Sequence, residues 1–269
     1  MHTLEKLRDI SKTYNATTSG IHWVPNVTLS STRLASPNEA AATSLDTYFR
    51  GQHHLDQFKH IVNVGSYCDC EGYVAPVADM PVYLEFLKDR IVAQGVTIRK
   101  IPSLVNLNEI QGNTTIVVNC AGLRAGELSG DAQECFPCQG QVVRIWAPQL
   151  GMSLYDPKTR AYMIPRPRGD VICGGSSIDH EDGTEPDPTL THDILTRCAQ
   201  MVPAVATSLV LETRVGLRPK RKGGLRLELE HTDQGGIIIH NYGHGGSGFA
   251  CSWGTAKEVG DLIMTPSRL

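Results

Sequence analysis

The sequence predicts a mixed α/β (α+β) protein built from two connected lobes, one α/β and one rich in strands. Three observations support this fold class. The 269 residues are 41% hydrophobic, which is enough for one large core or two ordinary ones. Residues 115–122 form a mostly apolar run that ends in glycine, as is typical of a buried parallel strand. The second half alternates short apolar segments with turns that contain glycine or proline, which favours antiparallel sheet.

Composition argues against several classes of protein. The 25 basic and 28 acidic side chains leave a net charge of −3 without a cluster of one sign, so we expect no nucleic-acid partner and no membrane-binding patch. A mean hydropathy of −0.18, without an apolar run of about 18 residues, predicts no membrane span. The first residues mix charges where a secretory signal would be apolar. We therefore expect an intracellular protein whose eight cysteines are thiols.

The first half of the chain mixes helical and strand patterns. The predicted helix after Pro81 has five apolar residues on one face: Tyr83, Leu84, Leu87, Ile91 and Val92. In chain order, the elements predicted here are a helix over residues 4–14, strands over 21–24 and 27–29, a helix over 81–95, a strand over 96–101, and a parallel strand over 115–122 that is buried on both faces.

The second half predicts a sheet interrupted by one helix and followed by another. The last helix, over residues 249–264, places Phe249, Trp253, Ala256 and Ile263 on one side. The helix over residues 191–202 carries Ile194, Leu195, Cys198 and Met201 at helical spacing. The predicted strands cover residues 141–146, 161–165, 171–174, 214–218, 225–230 and 236–240.

A glycine-rich turn separates the last predicted strand from the last predicted helix. Its sequence, Gly243-His-Gly-Gly-Ser-Gly248, has the G-x-G-x-x-G spacing of a dinucleotide-binding turn. Only 21 residues follow Gly248, whereas a βαβ unit needs about 30 residues. Glycines still let the backbone approach a flat ligand, and a helix N-terminus favours negative charge. We therefore expect this turn to bind a ring that becomes anionic on reduction. The alternative is that it is a plain tight turn.

Two further side chains are candidates for holding a carboxylate. Arg218 lies in Val215-Gly-Leu-Arg-Pro219, and arginine can bind a carboxylate through two parallel hydrogen bonds. Tyr162 lies in Ala161-Tyr-Met-Ile-Pro165, where its phenol can face a pocket. Each residue taken alone has a structural alternative, in strand pairing for the arginine and in the core for the tyrosine. Cys135-Phe-Pro-Cys138 lacks a second cysteine pair, so we predict no metal site.

Together these segments resemble the D-amino-acid oxidase and D-aspartate oxidase family of flavoenzymes. The resemblance implies one domain over residues 1–269. It divides into an N-terminally truncated, Rossmann-like FAD lobe at about 76–135 and 219–269, and a β-rich substrate lobe at about 1–75 and 136–218. The motifs that carry it are Val118-Asn-Cys-Ala-Gly-Leu123, Gly140-Gln-Val-Val143, Tyr162-Met-Ile-Pro165 with Gly174-Gly175, Val215-Gly-Leu-Arg-Pro219, and His240-Asn-Tyr-Gly-His-Gly-Gly-Ser-Gly248 with Trp253-Gly254.

The resemblance also implies a cofactor, FAD, and a reaction. A D-amino acid would lose hydride to the flavin, and the imino acid would hydrolyse to a 2-oxo acid and ammonia while oxygen becomes hydrogen peroxide. Arg218 would bind the substrate carboxylate with help from the Tyr162 hydroxyl, and the Gly246 carbonyl would accept from the amine. No residue is expected to act as an acid or base. The residues expected around FAD are Ile101, Gly122, Gly245, Gly246, Gly248, Phe249 and Ala250.

Two questions stay open at the level of sequence. The strand, glycine-rich turn and helix with which the family opens have no counterpart here, so we expect weak or no FAD binding unless the chain is extended. A non-catalytic remnant that acts as a binding or interaction module is the alternative function. The substrate that the resemblance implies is a D-amino acid, either neutral or acidic, D-aspartate among them. An acidic preference needs a second cation, and Arg160, Arg166 and Arg168 surround Tyr162 in sequence.

The remaining expectations concern location and partners. Ser267-Arg268-Leu269 resembles the C-terminal peroxisomal address, so we expect the import receptor as a partner and the peroxisomal matrix as the location, otherwise the cytoplasm. A peroxide-producing oxidase has a reason to lie beside catalase. A fluorescent fusion that stays diffuse in cells would contradict import. The other expected partners are a D-amino acid, molecular oxygen and a second copy in a homodimer.

Overall fold

The computed structural model describes residues 2–32, 49–50, 56–111, 116–232 and 235–264. Its strands are β1 Ile21–Ser30, β2 Phe49–Arg50, β3 Asp69–Ala78, β4 Ile116–Asn119, β5 Cys135–Trp146, β6 Ser153–Asp156, β7 Ala161–Pro165, β8 Asp170–Gly174, β9 Ile178–Asp179, β10 Val210–Arg221, β11 Arg226–His231 and β12 Ile237–Tyr242. Its α-helices are α1 His2–Thr13, α2 Ala16–Ser19, α3 Met80–Ala93, α4 Asn108–Gln111, α5 Ala125–Leu128, α6 Pro188–Met201 and α7 Gly248–Met264.

Two sheets organise these elements, so the mixed α/β class predicted from sequence is confirmed. Within the described residues the large sheet has the strand order β10-β5-β8-β7-β6-β1-β3-β2, with β9 also paired to β5. Its pairs are antiparallel except β1 with β6, which run parallel with Asn26 opposite Ser153. The small sheet has the order β11-β12-β4, and β12 runs parallel to β4. The predicted boundaries near residues 75 and 218 fall inside β3 and β10, and the division into two lobes stays a prediction.

The main core lies on one face of the large sheet, against α6. Strand β7 shows how the sequence selects that face, because Ala161, Met163 and Pro165 are buried while Tyr162 and Ile164 point to the other side. A period of two is what a strand imposes on its side chains. The predicted helix over 191–202 is confirmed as α6. Its start is fixed by Asp187, whose side chain accepts from the Thr189 amide, and it packs on the sheet through buried Ile194, Cys198 and Met201.

A second, smaller core joins α1, α3 and the start of β1. Ile21, Tyr83 and Phe86 are buried there, and Leu7, Ile10 and Tyr14 of the predicted N-terminal amphipathic segment pack against them. Helix α7 is tied to this cluster by hydrogen bonds. The Trp253 indole donates to the Tyr83 hydroxyl at 2.8 Å, and the Gly254 amide donates to Thr3 Oγ1 at 3.1 Å.

Three sequence predictions about apolar faces are wrong. On α3 the buried residues are Tyr83 and Phe86, whereas Leu84, Ile91 and Val92 are 40% exposed or more. On α7 Thr255 and Val259 are buried, while Phe249 and Ile263 face solvent. Strand β4 is buried on one face only, because Val118 is exposed. Helical spacing shows which residues share a face, but the neighbours that cover a face come from distant parts of the chain.

The predicted strand over residues 96–101 is also wrong, since this segment has no regular secondary structure and pairs with no described strand. A strand needs a partner for its backbone groups, which apolar residues alone do not supply. In contrast, the two short strands predicted at 21–24 and 27–29 form one strand, β1.

None of the described helices combines the length and the apolar character that a bilayer crossing requires. Residues 267–269 lie outside the described residues, and peroxisomal import stays a prediction.

Candidate active site

The Arg218 side chain lies across the neighbouring strand β5, because residue 140 of that strand is a glycine. A Cβ atom built on Gly140 of β5 would be 2.2 Å from Nη1 and 2.4 Å from Cζ of Arg218. Any side chain at position 140 would therefore overlap the guanidinium. Arg218 Nη1 donates to the carbonyl oxygens of Ser176 at 3.1 Å and Gln139 at 3.4 Å, which hold the group in this position.

The Tyr162 ring lies over a second glycine in the same way. A Cβ atom built on Gly174 of β8 would lie 2.1 Å from Cζ and 2.4 Å from the hydroxyl oxygen of Tyr162. Strands β5 and β8 lie between β10 and β7, so Arg218 and Tyr162 reach towards each other from two outer strands over two glycines. Burial raises the pKa of the Tyr162 phenol, while the charge of Arg218 and a hydrogen bond to it oppose that rise. The structure therefore brings Arg218 and Tyr162 together.

The guanidinium of Arg218 differs from its neighbours on β10 in having no acidic partner. Lys220 pairs with Asp179 at 2.6 Å and Arg221 pairs with Asp131 at 2.7 Å. Arg218 forms no ion pair with a described carboxylate. It donates to two backbone carbonyls and to the Cys138 sulfur, and it interacts with the Tyr162 hydroxyl. A half-buried cation of this kind is stabilised by an added anion more than an already paired cation is. The site is therefore suited to a ligand carboxylate.

The glycine-rich turn lies directly beside Arg218. An isolated β-bridge pairs Lys220 of β10 with His244 of the turn, so the end of β10 fixes the turn in place. Gly243 has a φ of 84° and a Cβ there would meet Arg221 Cβ at 2.8 Å, so this position requires glycine. A Cβ on Gly246 would have Arg218 Cδ, at 3.7 Å, as its nearest contact. Gly246 thus joins Arg218 and Tyr162 in one site.

The Asp131 carboxylate links the two strands that contact the turn. Asp131 accepts from Arg221 Nε at 2.7 Å and from the Tyr242 hydroxyl at 2.8 Å. These two donors belong to β10, which forms a bridge with His244 of the turn, and to β12, which leads into the turn. The hydrogen bond from Arg221 lowers the pKa of Asp131, with a smaller contribution from Tyr242. Asp131 therefore stays ionised and connects both strands that position the turn.

The start of α7 meets the requirements for holding a flat ring. The first-turn amides of a helix lack acceptors within the helix and carry partial positive charge, and here they belong to Gly248, Phe249 and Ala250. Gly245 and Gly246 carry no side chains and Gly246 is exposed, so a ligand can approach the backbone of the turn closely. The Phe249 ring is more than half exposed beside them. Anionic and electron-rich groups would be stabilised at this helix terminus.

Gly122 and Ile101 lie along the same side of the small sheet. Gly122 follows β4 and the glycine turn follows β12. Because these strands are parallel, both turns lie at the same end of the small sheet. Gly122 has a φ of 63° and begins a short 3₁₀ helix ending at Arg124. Arg124 donates to the Ser103 hydroxyl and to the Leu104 carbonyl, and so ties the segment that carries exposed Ile101 to this turn. The cofactor roles of Ile101 and Gly122 stay predictions.

Several residues that shape this site were not among those predicted from the sequence. Gly140 and Gly174 appeared only as parts of motifs, although a glycine inside a strand is itself a signal of close approach. Ser176 had no signal, yet its carbonyl accepts from Arg218 and its hydroxyl accepts from the Gln141 amide at 2.8 Å. The buried His240 side chain forms no hydrogen bond with a described residue of the glycine turn. Its ring contacts Asn119 on β4 and Glu230 on β11 instead.

Comparison with known proteins finds a matching family and several proteins of similar sequence. The sequence profile of a family described as FAD dependent oxidoreductase (DAO) matches residues 41–262. The D-amino-acid oxidase of Rubrobacter xylanophilus is 42% identical over 199 residues, which are 72% of this chain and 60% of that protein. Human D-aspartate oxidase is 34% identical over 198 residues, 72% of this chain and 56% of that protein. The chain thus spans between half and three fifths of the length of the curated relatives it matches.

Solved structures share the fold. Glycine oxidase from Bacillus cereus superposes with a TM-score of 0.80 at 16% identity, over 99% of this chain and 80% of that one. Glycine oxidase from Geobacillus kaustophilus gives a TM-score of 0.77 at 16% identity, over 97% of this chain and 75% of that one. Identities this low establish similarity of fold alone.

Proposed function

Because the chain belongs to the DAO family of FAD-dependent oxidoreductases, we propose that it takes part in the oxidative deamination of D-amino acids. A D-amino acid, oxygen and water would give a 2-oxo acid, ammonia and hydrogen peroxide. The observation that carries this proposal is the meeting of Arg218 and Tyr162 over Gly140 and Gly174. Relatives at 34–42% identity named D-amino-acid oxidase and D-aspartate oxidase support it.

In this proposal Arg218 binds the substrate carboxylate through parallel N–H donors, and the Tyr162 hydroxyl donates to the same carboxylate. The carbonyl of Gly246, beside the Arg218 side chain, accepts from the substrate amine. Holding the carboxylate and the amine at two points restricts the orientation of the Cα–H bond, which is the main demand of the reaction.

FAD, when bound, supplies the hydride-accepting chemistry. The residues that would hold its ring are Gly245, Gly246, Gly248, Phe249 and Ala250, where the amides at the start of α7 favour negative charge. Gly122 and Ile101 are proposed to lie near the adenosine half. The fit rests on the backbone of the glycines, which carries no side chains, and on the amides at the start of the helix.

The test measures hydrogen peroxide from D-alanine and from L-alanine, using the purified chain with excess FAD. We expect peroxide from the D-enantiomer alone while excess FAD is present. Peroxide from the L-enantiomer alone would overturn the D-amino-acid proposal. A colourless protein that releases no peroxide from any amino acid would instead support the non-catalytic remnant.

A further inference from the structure

Arg197 on α6 donates to backbone carbonyls in two segments that lie beside the proposed substrate-binding residues. Its Nη1 donates to the Thr159 carbonyl at 3.0 Å, and its Nη2 donates to the Gly175 carbonyl at 3.3 Å. Thr159 lies in the turn that leads into β7 and Tyr162, and Gly175 directly follows β8. Tyr162 and Gly174 are direct cross-strand partners. One guanidinium therefore links the two strands near the point where the Tyr162 ring lies over Gly174.

The next residue of α6 contacts the same two strands. The Cys198 thiol is fully buried, and its sulfur lies 3.6 Å from the Tyr162 carbonyl oxygen and 4.0 Å from that of Gly174. A thiol is a weak donor, so these contacts add little energy, but they show that α6 lies directly against the backbone of both strands. Helix α6 packs on the core face of the sheet, whereas the Tyr162 side chain points to the other face.

The segment that Arg197 contacts after β8 also holds Arg218. The carbonyls of two consecutive residues, Gly175 and Ser176, accept from Arg197 and from Arg218 respectively. Because the peptide unit that joins these two residues is planar and rigid, a movement of Gly175 also displaces Ser176. Arg197 is therefore placed to influence the positions of both Tyr162 and Arg218.

The carbonyl contacts of Arg197 differ in kind from its ion pair. Arg197 also pairs with Asp193 of α6 at 2.7 Å, but the Asp193 side chain is 53% exposed, and an exposed pair of this type contributes little to stability. The Arg197 side chain is only 16% exposed. A planar guanidinium can donate to several acceptors in fixed directions, whereas a lysine ammonium acts as a point charge. Contact with both carbonyls thus depends on arginine at this position.

We propose that Arg197 is a positioning residue for D-amino-acid binding. By joining the Thr159 and Gly175 carbonyls, it keeps the Tyr162 hydroxyl and the Arg218 guanidinium at the spacing that one carboxylate requires. Arg197 acts through the backbone of these two segments and is assigned no contact with the substrate. This inference rests on the proposed function.

The experiment measures the dissociation constant of D-alanine by titration calorimetry, with excess FAD present. Arg197→Met keeps an unbranched stem and is expected to weaken binding by about tenfold, the effect of one hydrogen bond lost between the carboxylate and a displaced donor. Arg197→Lys keeps the charge but not both carbonyl contacts, and is expected to weaken binding by at least about threefold. The matched control is Asp193→Asn, which leaves the carbonyl contacts in place and is expected to change affinity by less than about twofold.

A double-mutant cycle with Tyr162→Phe separates positioning from a general loss of structure. If Arg197 acts partly through the Tyr162 hydroxyl, Arg197→Met and Tyr162→Phe together weaken binding by at least about threefold less than the product of their separate effects. Effects that multiply would overturn the inference. Because both carbonyls can bind water in Arg197→Met, the melting temperature is expected to fall by only a few degrees. A large fall with unchanged D-alanine affinity would show a structural role and would also overturn it.

Hydrogen exchange measured by mass spectrometry tests the positioning step without a ligand. Arg197→Met is expected to speed amide exchange by at least about threefold in peptides covering residues 159–163 and 174–177, whereas Asp193→Asn leaves these peptides unchanged. Unchanged exchange there in Arg197→Met would overturn the inference whether or not an amino acid binds. Failure of the unmodified chain to bind D-alanine would overturn the proposed function, and the exchange data would then decide whether Arg197 holds the two segments.

Discussion

Replacing Gly140 with alanine is expected to displace Arg218 without unfolding the protein. The new methyl carbon would start 2.2–2.4 Å from the guanidinium atoms, whereas non-bonded heavy atoms prefer about 3.5 Å. The guanidinium must therefore move by roughly 1 Å, and it would leave the carbonyls of Ser176 and Gln139. A displacement of this size at a substrate-positioning group costs about 100-fold in rate.

The cost to stability is expected to be small, since the overlap involves the end of a flexible side chain. We expect the free energy of unfolding to change by less than about 1 kcal/mol, because alanine also restricts the unfolded chain relative to glycine. That corresponds to a few degrees in melting temperature for a chain of this size. A large functional loss with an intact fold is therefore the expected combination.

The assay is D-amino-acid binding by calorimetry, together with peroxide release, at excess FAD. Gly216→Ala is the matched control, because Gly216 pairs directly with Gly140 across β10 and β5, yet a Cβ there would contact nothing within 4 Å. If the Gly140→Ala and Gly216→Ala variants bind D-amino acids equally well, the glycine at position 140 does not determine where the Arg218 guanidinium lies.

Three further predictions address other parts of the structure. Tyr162→Phe removes the phenol beside Arg218, so calorimetry is expected to show D-alanine binding weakened by about 10-fold, and unchanged affinity would contradict this. Asp131→Ala removes the charged acceptor that Arg221 and Tyr242 share and is expected to lower the free energy of unfolding by about 2 kcal/mol in denaturant titration; less than about 0.5 kcal/mol would contradict it. Burial lowers the pKa of His240 below 6.5, so the unfolded chain binds a proton that the folded chain does not, and stability falls as pH drops below about 6.5. Thermal melts at pH 7.5 and about 5.5 should show a smaller loss for His240→Gln than for the unmodified chain, and equal losses would contradict this.

Local patterns were sufficient to predict the elements that carry the site. Alternation over residues 161–165 matches β7 and leaves Tyr162 opposite the core. The glycine turn and the helix after it lie where the sequence places them. The meeting of Arg218 with Gly246 followed from a family resemblance, because nothing local links residues so far apart in the chain.

Features that depend on distant partners were not predicted. Phe86, rather than Leu84 or Val92, is buried on α3, because α1 and β1 pack against that side of the helix. The partners of Asp131 lie 90 and 111 residues away, and no spacing rule connects them. The segment over 96–101 has strand-like composition, yet no described strand pairs with it.

The most direct measurement compares D-alanine binding in Arg218→Leu and Arg214→Leu at excess FAD. Both arginines lie on β10, but Arg214 is largely exposed and pairs with Glu212, whereas Arg218 has no described acidic partner. We expect Arg218→Leu to weaken binding by more than about 30-fold, since a charged hydrogen-bonding partner of the carboxylate is lost, and Arg214→Leu to change it by less than about twofold. Similar affinities in the two variants would mean that the carboxylate is bound elsewhere.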